Sequence, residues 1–327
     1  MLVLNRRDIQ SLVPMREAIE LMKVAFRELS AGRAASPLRG VVPVDQQSVT
    51  LLMPAYVPAA KALGFKVVSV FEGNRDKGLP TIAAMVCLID ESTGVPVAIM
   101  NGSYLTALRT GAVSGAATDL LAREDASTLV VIGAGVQGVT QAAAVAAVRP
   151  IERIIAVARS EETLASYREA IAADWPDLAD RLETTTDPAV VAEADVICTA
   201  TNSRTPVFDD ALVRPGTHIN AVGSFRPDMQ ELPSGIVTRG TIVVDQVEAA
   251  LEEAGDFLVP IERGELDRSR IERELGQIVA GAVEGRSDPD EVTIFKSVGN
   301  AVQDVTVARH AVERARESGR GQEVSID

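Results

Sequence analysis

The stretch STLVVIGAGVQGVTQAAAVAAV, residues 127–148, decides the fold. Its apolar run 129–132 has the length of a buried strand and enters GAGVQG, residues 133–138, with an alanine-rich helical stretch behind it. Strand, glycine turn and helix in that order form the first half of a dinucleotide-binding βαβ unit. Gly133 permits the tight turn, Gly135 lets the backbone approach a pyrophosphate, and Gly138 lets helix and strand pack closely. The helix start adds free N–H groups and the positive end of a dipole. A second strand, residues 153–158, follows at the distance the unit requires.

Downstream the alternation continues. Strands are expected at 181–185, 195–199, 218–222 and 241–244, and helices at 161–174, 188–193 and 247–257. That rhythm is the mark of a doubly wound parallel sheet. Upstream it differs. After a short strand at 2–4 and capping residues at 8–11, Ala18, Ile19, Met22, Ala25, Phe26 and Leu29 recur at helical spacing through 15–30. Strands at 48–53, 62–70, 81–89 and 95–101 are separated by turns such as EGNRDKG (72–78) and DESTG (90–94), which implies an antiparallel or mixed sheet. A small-residue helix at 106–122 leads into the glycine-turn strand, and a last helix at 300–318 is expected to return to the first domain. The fold class read here is α/β: a doubly wound parallel sheet plus a second domain on a mixed sheet.

A chain of 327 residues is long enough for two domains with separate cores. A net charge of −14 argues against nucleic acid or an anionic membrane as partner, because both call for a basic surface. Cys87 and Cys198 each lie in an apolar, strand-like run and read as buried thiols, and no cluster suggests a metal. The start, MLVLNRRDIQ, lacks a signal-peptide layout, and no apolar run reaches ~18 residues, so a cytoplasmic location is expected.

The tip of the second strand reads AVARS, 156–160. Sites that prefer NAD place an acid there for the ribose hydroxyls, whereas Glu161 and Glu162 come late. Arg159 with Ser160 can instead grip a 2′-phosphate, the other reading of Arg159 being a solvated residue that opens the next helix. NADP(H) is favoured and NAD(H) stays open.

Histidine is nearly absent: His218 falls in a strand and His310 on the last helix, where both read as structural. Proton transfer therefore falls to carboxylate or lysine. Lys66 interrupts an apolar strand, so it either faces a cleft with a partner or faces solvent from a sheet edge. Arg39 and Arg109 are carboxylate clamps or plain surface residues. Asp228 follows a strand end, where this architecture puts catalytic groups, though a turn aspartate after proline looks the same.

These residues fall in segments that resemble the ornithine cyclodeaminase and mu-crystallin family over essentially the whole chain. The segments are LLMPAY (51–56), GFKVVSVFEGNRDKGLPT (64–81), LIDESTGVPVAIMNG (88–102), TALRTGAVSGAAT (106–118), VVIGAGVQG (130–138), ICTAT (197–201), INAVGSFRPDMQELP (219–233), TIVVDQ (241–246) and FKSVGNAVQD (295–304). The family includes ornithine cyclodeaminase, a type of alanine dehydrogenase, cyclic ketimine reductases such as pyrroline-2-carboxylate reductase, and mu-crystallin. The resemblance implies a Rossmann-type domain at 119–302 and a substrate-binding and dimerisation domain at 1–118 completed by 303–327. It implies a homodimer joined through first-domain sheets.

It further implies that Arg39, Lys66 and Arg109 hold a substrate carboxylate and that Asp228 is the acid–base residue, with Lys66 placed to polarise the imine region. Cofactor contacts carried over are Thr81, Thr110, Val136, Gln137, Thr201, Val222 and Ser297, with Val298 in the pocket wall. One position departs: ornithine cyclodeaminases carry a glutamate just before the Leu-Met-Pro segment, where this chain has Leu51. The expectation is therefore NAD(P)H-dependent interconversion of a small amino acid and its imino acid. The alternatives are ornithine cyclodeamination and a low-turnover NADPH-binding protein.

Overall fold

Leu2 and Leu4 are buried on either side of half-buried Val3, the alternation of a strand, here β1 (Leu2–Leu4). The computed structural model describes residues 1–46 and 48–325. Asn5 accepts from the backbone of Arg7 and Asp8 while Asp8 accepts from Asn5, and this reciprocal cap starts α1 (Arg6–Leu12). After Pro14, α2 (Met15–Ser30) buries Ala18, Ile19, Met22, Ala25 and Phe26, as their spacing requires. Five strands follow: β2 (Gly40–Pro43), β3 (Ser48–Val57), β4 (Ala62–Phe71), β5 (Ile82–Ile89) and β6 (Pro96–Asn101). Neighbours from β2 to β6 pair antiparallel, and β1 joins β6 in parallel, so the sheet is mixed. Strand β2 has no counterpart in the sequence reading: four exposed residues at a sheet edge carry no burial alternation. α3 (Gly102–Leu121) comes next.

The alternating part begins with β7 (Thr128–Ile132), α4 (Val136–Val148), β8 (Arg153–Val157), α5 (Glu161–Asp174), β9 (Leu182–Thr185) and β10 (Val196–Thr199). It goes on through β11 (His218–Ala221), α6 (Ser234–Arg239), β12 (Thr241–Val244), α7 (Val247–Glu253), α8 (Gly255–Glu262), α9 (Leu275–Val279) and β13 (Thr293–Lys296). The strands lie in the order β12-β13-β11-β10-β7-β8-β9, all parallel, with Val130, Ile155, Ile197, Ile219, Ile242 and Ile294 in one buried cluster. Two details depart from expectation. The helix at 247–257 is two helices, because Asp256 turns inward to accept from the backbone of Glu231 and Leu232, and Gly255 passes so close to Met229 that a side chain would overlap its carbonyl. Residues Pro188–Glu193 form a 3-10 helix rather than an α-helix.

The chain then returns through α10 (Ala301–Ser318), capped by Asn300 reciprocally with Gln303 and ended by Gly319 at φ +65°. A short β14 (Gln322–Glu323) adds to β1. α10 packs across β3, β4 and β5 beside α2. By its contacts the chain forms two units, Met1–Arg109 with the segment from Asn300 onward, and Thr110–Gly299, the first division falling inside α3.

Gly138 makes the closest approach of α4 to the glycine turn, and a Cβ there would overlap the Gly133 carbonyl oxygen. Gly138→Ala is expected to lower stability by about 1–3 kcal/mol, as overpacking against backbone does, read as a lower denaturation midpoint.

Candidate active site

On β4 the alternate residues Ala62, Gly64, Lys66 and Val68 turn to the buried face, and Ala62 and Val68 share an apolar cluster with Ala301, Val302 and Val305 of α10. Lys66 is 1 % exposed, and β3 and β5 flank its strand on either side, which disposes of the solvent-facing alternative. An ammonium ion so placed costs several kcal/mol unless paired. Its partner is Asp304, one place beyond the capping Gln303 in the first turn of α10, with Oδ2 2.7 Å from Lys66 Nζ. The other oxygen, Oδ1, accepts from Arg109 Nε at 3.1 Å. Arg109 also donates from Nη1 to Gln303 Oε1 at 2.8 Å, the same oxygen that accepts the Asn300 N–H. The cap of α10 and the cation cluster are thus one network.

The electrostatics are lopsided. Burial first, and then the Arg109 guanidinium, drive the Lys66 pKa down to about 7 against the pull of Asp304, and the charge of Arg39 pushes the same way. Three cations therefore act around one carboxylate. Lys66 has three N–H donors. One goes to Asp304, and among the described residues the other two have no acceptor. Positive charge is in excess at this cluster.

In the second unit the glycines divide by role. Gly133 sits at φ +109°, and a Cβ there would run into the Ala200 carbonyl. Gly135 has ordinary extended backbone, φ −104° and ψ −170°, and a Cβ there would meet nothing within 4 Å. Neither strain nor packing calls for glycine at 135. The clear backbone there, at a helix start without a side-chain cap, fits a dinucleotide pyrophosphate. Val136, 72 % exposed, and Gln137 stand beside it.

Buried carboxylates hold the loops at the strand ends. Glu231 accepts from the Thr201 N–H (2.6 Å) and hydroxyl (2.8 Å), the Thr199 hydroxyl (3.0 Å), and the N–H groups of Gly223 (2.7 Å) and Ser224 (3.1 Å). It fastens the loops after β10 and β11, which carry Thr201 and Val222. Asp245 does the same after β13, accepting from the Ser297 hydroxyl (2.8 Å) and the N–H groups of Val298 (3.0 Å) and Gly299 (2.9 Å). Burial raises the pKa of both acids. Lys296 Nζ lies 2.8 Å from Asp256 Oδ2, both side chains fully buried, and its charge opposes the rise at Glu231.

Asp228 is 44 % exposed for its side chain on the loop after β11, in a two-point ion pair with Arg226 (3.0 and 3.2 Å) and 3.2 Å from Arg204. Arg159 is exposed at the β8 tip, and Ser160 caps α5 by accepting from Thr163. Thr81 lies just before β5, its carbonyl accepting from Phe71, and Thr110 is buried in α3, its carbonyl accepting from Gln141. His218 is fully buried between Thr293 and Asn220, and desolvation lowers its pKa to about 3, so it stays neutral. His310 pairs with Glu17. Asp304, Gln303, Glu231, Asp245, Asp256 and Lys296 were not singled out from sequence, although all but Asp256 lie within the segments quoted above.

A parallel sheet with a glycine turn on β7, and a mixed sheet burying a cation-rich cluster, are the marks of a class: dinucleotide-dependent oxidoreductases of small anionic substrates. Among these, the chain belongs to the ornithine cyclodeaminase/mu-crystallin family, whose profile matches residues 1–319. It is 46 % identical to a Δ1-pyrroline-2-carboxylate reductase of Bacillus cereus over 100 % of both chains, and 35 % identical to the alanine dehydrogenase of Archaeoglobus fulgidus over 99 % of this chain and 98 % of that one. The structure of Thermococcus litoralis Δ1-pyrroline-2-carboxylate reductase in complex with NADH and L-proline is similar at a TM-score of 0.94 and 40 % identity, covering 99 % of this chain and 100 % of that one.

Gly135→Ala is expected to leave the thermal midpoint unchanged and to weaken NAD(P)H binding at least about tenfold, because the methyl group enters only the space left for pyrophosphate. Fluorescence titration of the reduced nicotinamide measures it.

Proposed function

We propose that this protein reduces a cyclic α-imino acid of the Δ1-pyrroline-2-carboxylate type to the corresponding amino acid with NAD(P)H. The observation that carries the reading is the Lys66–Asp304–Arg109 cluster, with two lysine N–H groups lacking an acceptor among the described residues in a buried place with surplus positive charge. A planar carboxylate on a small apolar ring meets both requirements, charge and two-point geometry. The similarity to pyrroline-2-carboxylate reductases from two organisms, one of them bound to NADH and L-proline, supports the same class of substrate. Leu51, 7 % exposed in an aliphatic cluster, supports reduction over cyclodeamination, since no acid stands there to handle a second amino group.

In this reading Lys66, Arg109 and Arg39 fix the carboxylate beside the imine carbon. Asp228 exchanges its arginine partners, Arg226 and Arg204, for the imine nitrogen and, as a carboxylate, accepts a hydrogen bond from the N–H of the iminium form that the substrate brings from solution, the better hydride acceptor. When bound, the reduced nicotinamide supplies the hydride to Cα. The C=N π pair ends on nitrogen, giving the amine. Arg159, exposed at the β8 tip and without an ion pair among the described residues, favours NADP(H) over NAD(H).

A homodimer and a cytoplasmic location complete the proposal. Val41, Val42, Leu52, Ile82 and Met85 are exposed on the first sheet, a similar solved structure at 33 % identity and a TM-score of 0.90 is an archaeal alanine dehydrogenase dimer with bound NAD, and no helix among the described residues is long and apolar enough to cross a membrane.

The test is loss of reduced-nicotinamide absorbance with pyrroline-2-carboxylate, piperideine-2-carboxylate, or pyruvate with ammonia, each offered NADPH and NADH. Rapid loss with a cyclic imine is expected, NADPH being the better donor. Silence with all pairs sinks the reading. Turnover of pyruvate with ammonia alone moves it to an alanine dehydrogenase. Asp228→Asn is expected to lower kcat by about 10²–10⁴ with little change in NADPH affinity, and a near-normal rate would remove Asp228 from the mechanism. Arg159→Ala is expected to raise the KM for NADPH and leave that for NADH unchanged.

A further inference from the structure

Among the described residues two lysines, Lys66 and Lys296, are fully buried, and their surroundings are opposite in sign. Lys296 lies against Asp256 and within the field of Glu231, so negative charge is in excess around it. Lys66 lies against Asp304 with Arg109 on the same carboxylate and Arg39 adding to the field, so positive charge is in excess. Its neighbours across the sheet, Met53 on β3 and Val86 on β5, carry no charge. The groups that set the state of Lys66 are therefore Asp304 from α10, Arg109 from α3, and Arg39 from the segment before β2.

We propose that Asp304 is a positioning residue for substrate recognition: it keeps Lys66 charged and aimed, and thereby sets the pH range over which the site holds a carboxylate. The proposal rests on the reading of Lys66 and Arg109 as the carboxylate grip. Asp304 gives one oxygen to each cation, and among the described residues its carboxylate accepts from no other group. That division fixes the spacing of two like charges that would otherwise repel in a buried place. It also spends only one of the three Lys66 donors. The Asp304 backbone follows the reciprocal cap of Asn300 and Gln303, and Gln303 is also bonded to Arg109, so the cap fixes the place on α10 from which the carboxylate reaches both cations.

Burial and the arginines favour loss of the Lys66 proton, and Asp304 is the group that opposes them. An incoming carboxylate binds the protonated lysine better than the neutral one. Affinity for a carboxylate should thus be flat below pH about 7 and fall as pH rises past it. Removing the aspartate charge moves that break to lower pH by about one to three pH units. Above both breaks the variant binds more weakly by at least about tenfold. Well below them the difference shrinks, because Lys66 is protonated in both proteins. A residue with a merely structural role would weaken binding equally at every pH.

The experiment measures the dissociation constant of pyrrole-2-carboxylate, a flat carboxylate whose nitrogen does not titrate in this range, between pH 5 and 9. The proteins are the wild type and Asp304→Asn, each saturated with NADP⁺, and NADP⁺ affinity is recorded as the control for folding. A wild-type break near pH 7 that moves down in Asp304→Asn supports the proposal. An unmoved break, a pH-independent loss, or a flat wild-type profile overturns it. If Asp304→Asn does not fold, Asp304→Glu is read the same way: a break kept near the wild-type position supports the proposal, and loss of the break overturns it. Failure of the underlying reading is distinct, since the wild type would then neither bind this carboxylate nor reduce a cyclic imine.

Discussion

One carboxylate shared by two cations is the constraint on which the first unit depends. Asp304 joins α10 to β4 through Lys66 and to α3 through Arg109, so three elements distant in sequence meet at a single group. Buried ion clusters of this kind seldom add stability over a well-packed apolar core, because desolvation offsets most of the attraction. Their presence asks for another explanation. Here the cluster has surplus positive charge, and among the described residues Lys66 gives one of its three donors to Asp304, which fits the proposed grip on a substrate carboxylate.

The second unit solves a related problem with carboxylates alone. Loops that leave the ends of parallel strands expose backbone N–H groups, and buried N–H groups need acceptors. Glu231 and Asp245 supply them from within, each holding several donors at once. The loops after β10, β11 and β13 are thereby fixed, and on the loop after β7 the backbone at Gly135 is left clear. Fixed loops around an open backbone are what a dinucleotide-binding edge requires.

Much of this was legible in the chain. GAGVQG announced a turn whose three glycines differ in role, and the structure separates them: one strained, one crowded, one open. α2 and α5 begin and end where their patterns do, since an amphipathic stripe after a proline and a serine cap are local signals. The edge strand β2, by contrast, is exposed at every residue and has no alternation to read. The break between α7 and α8 depends on Asp256 reaching Glu231 and Leu232 across the fold, which no window of sequence contains. The buried acids escaped for the same reason. An aspartate in the first turn of a helix, as Asp304 is, looks like an ordinary solvated helix start until the strand carrying Lys66 is laid beneath it.

The most direct test of the account is a crystal structure of the protein with L-proline and the oxidised dinucleotide. The proline carboxylate is expected within hydrogen-bond distance of Lys66 Nζ and the Arg109 guanidinium, with both cations still on Asp304. A carboxylate bound elsewhere, with the remaining Lys66 donors met by protein groups or solvent, would contradict the proposed grip.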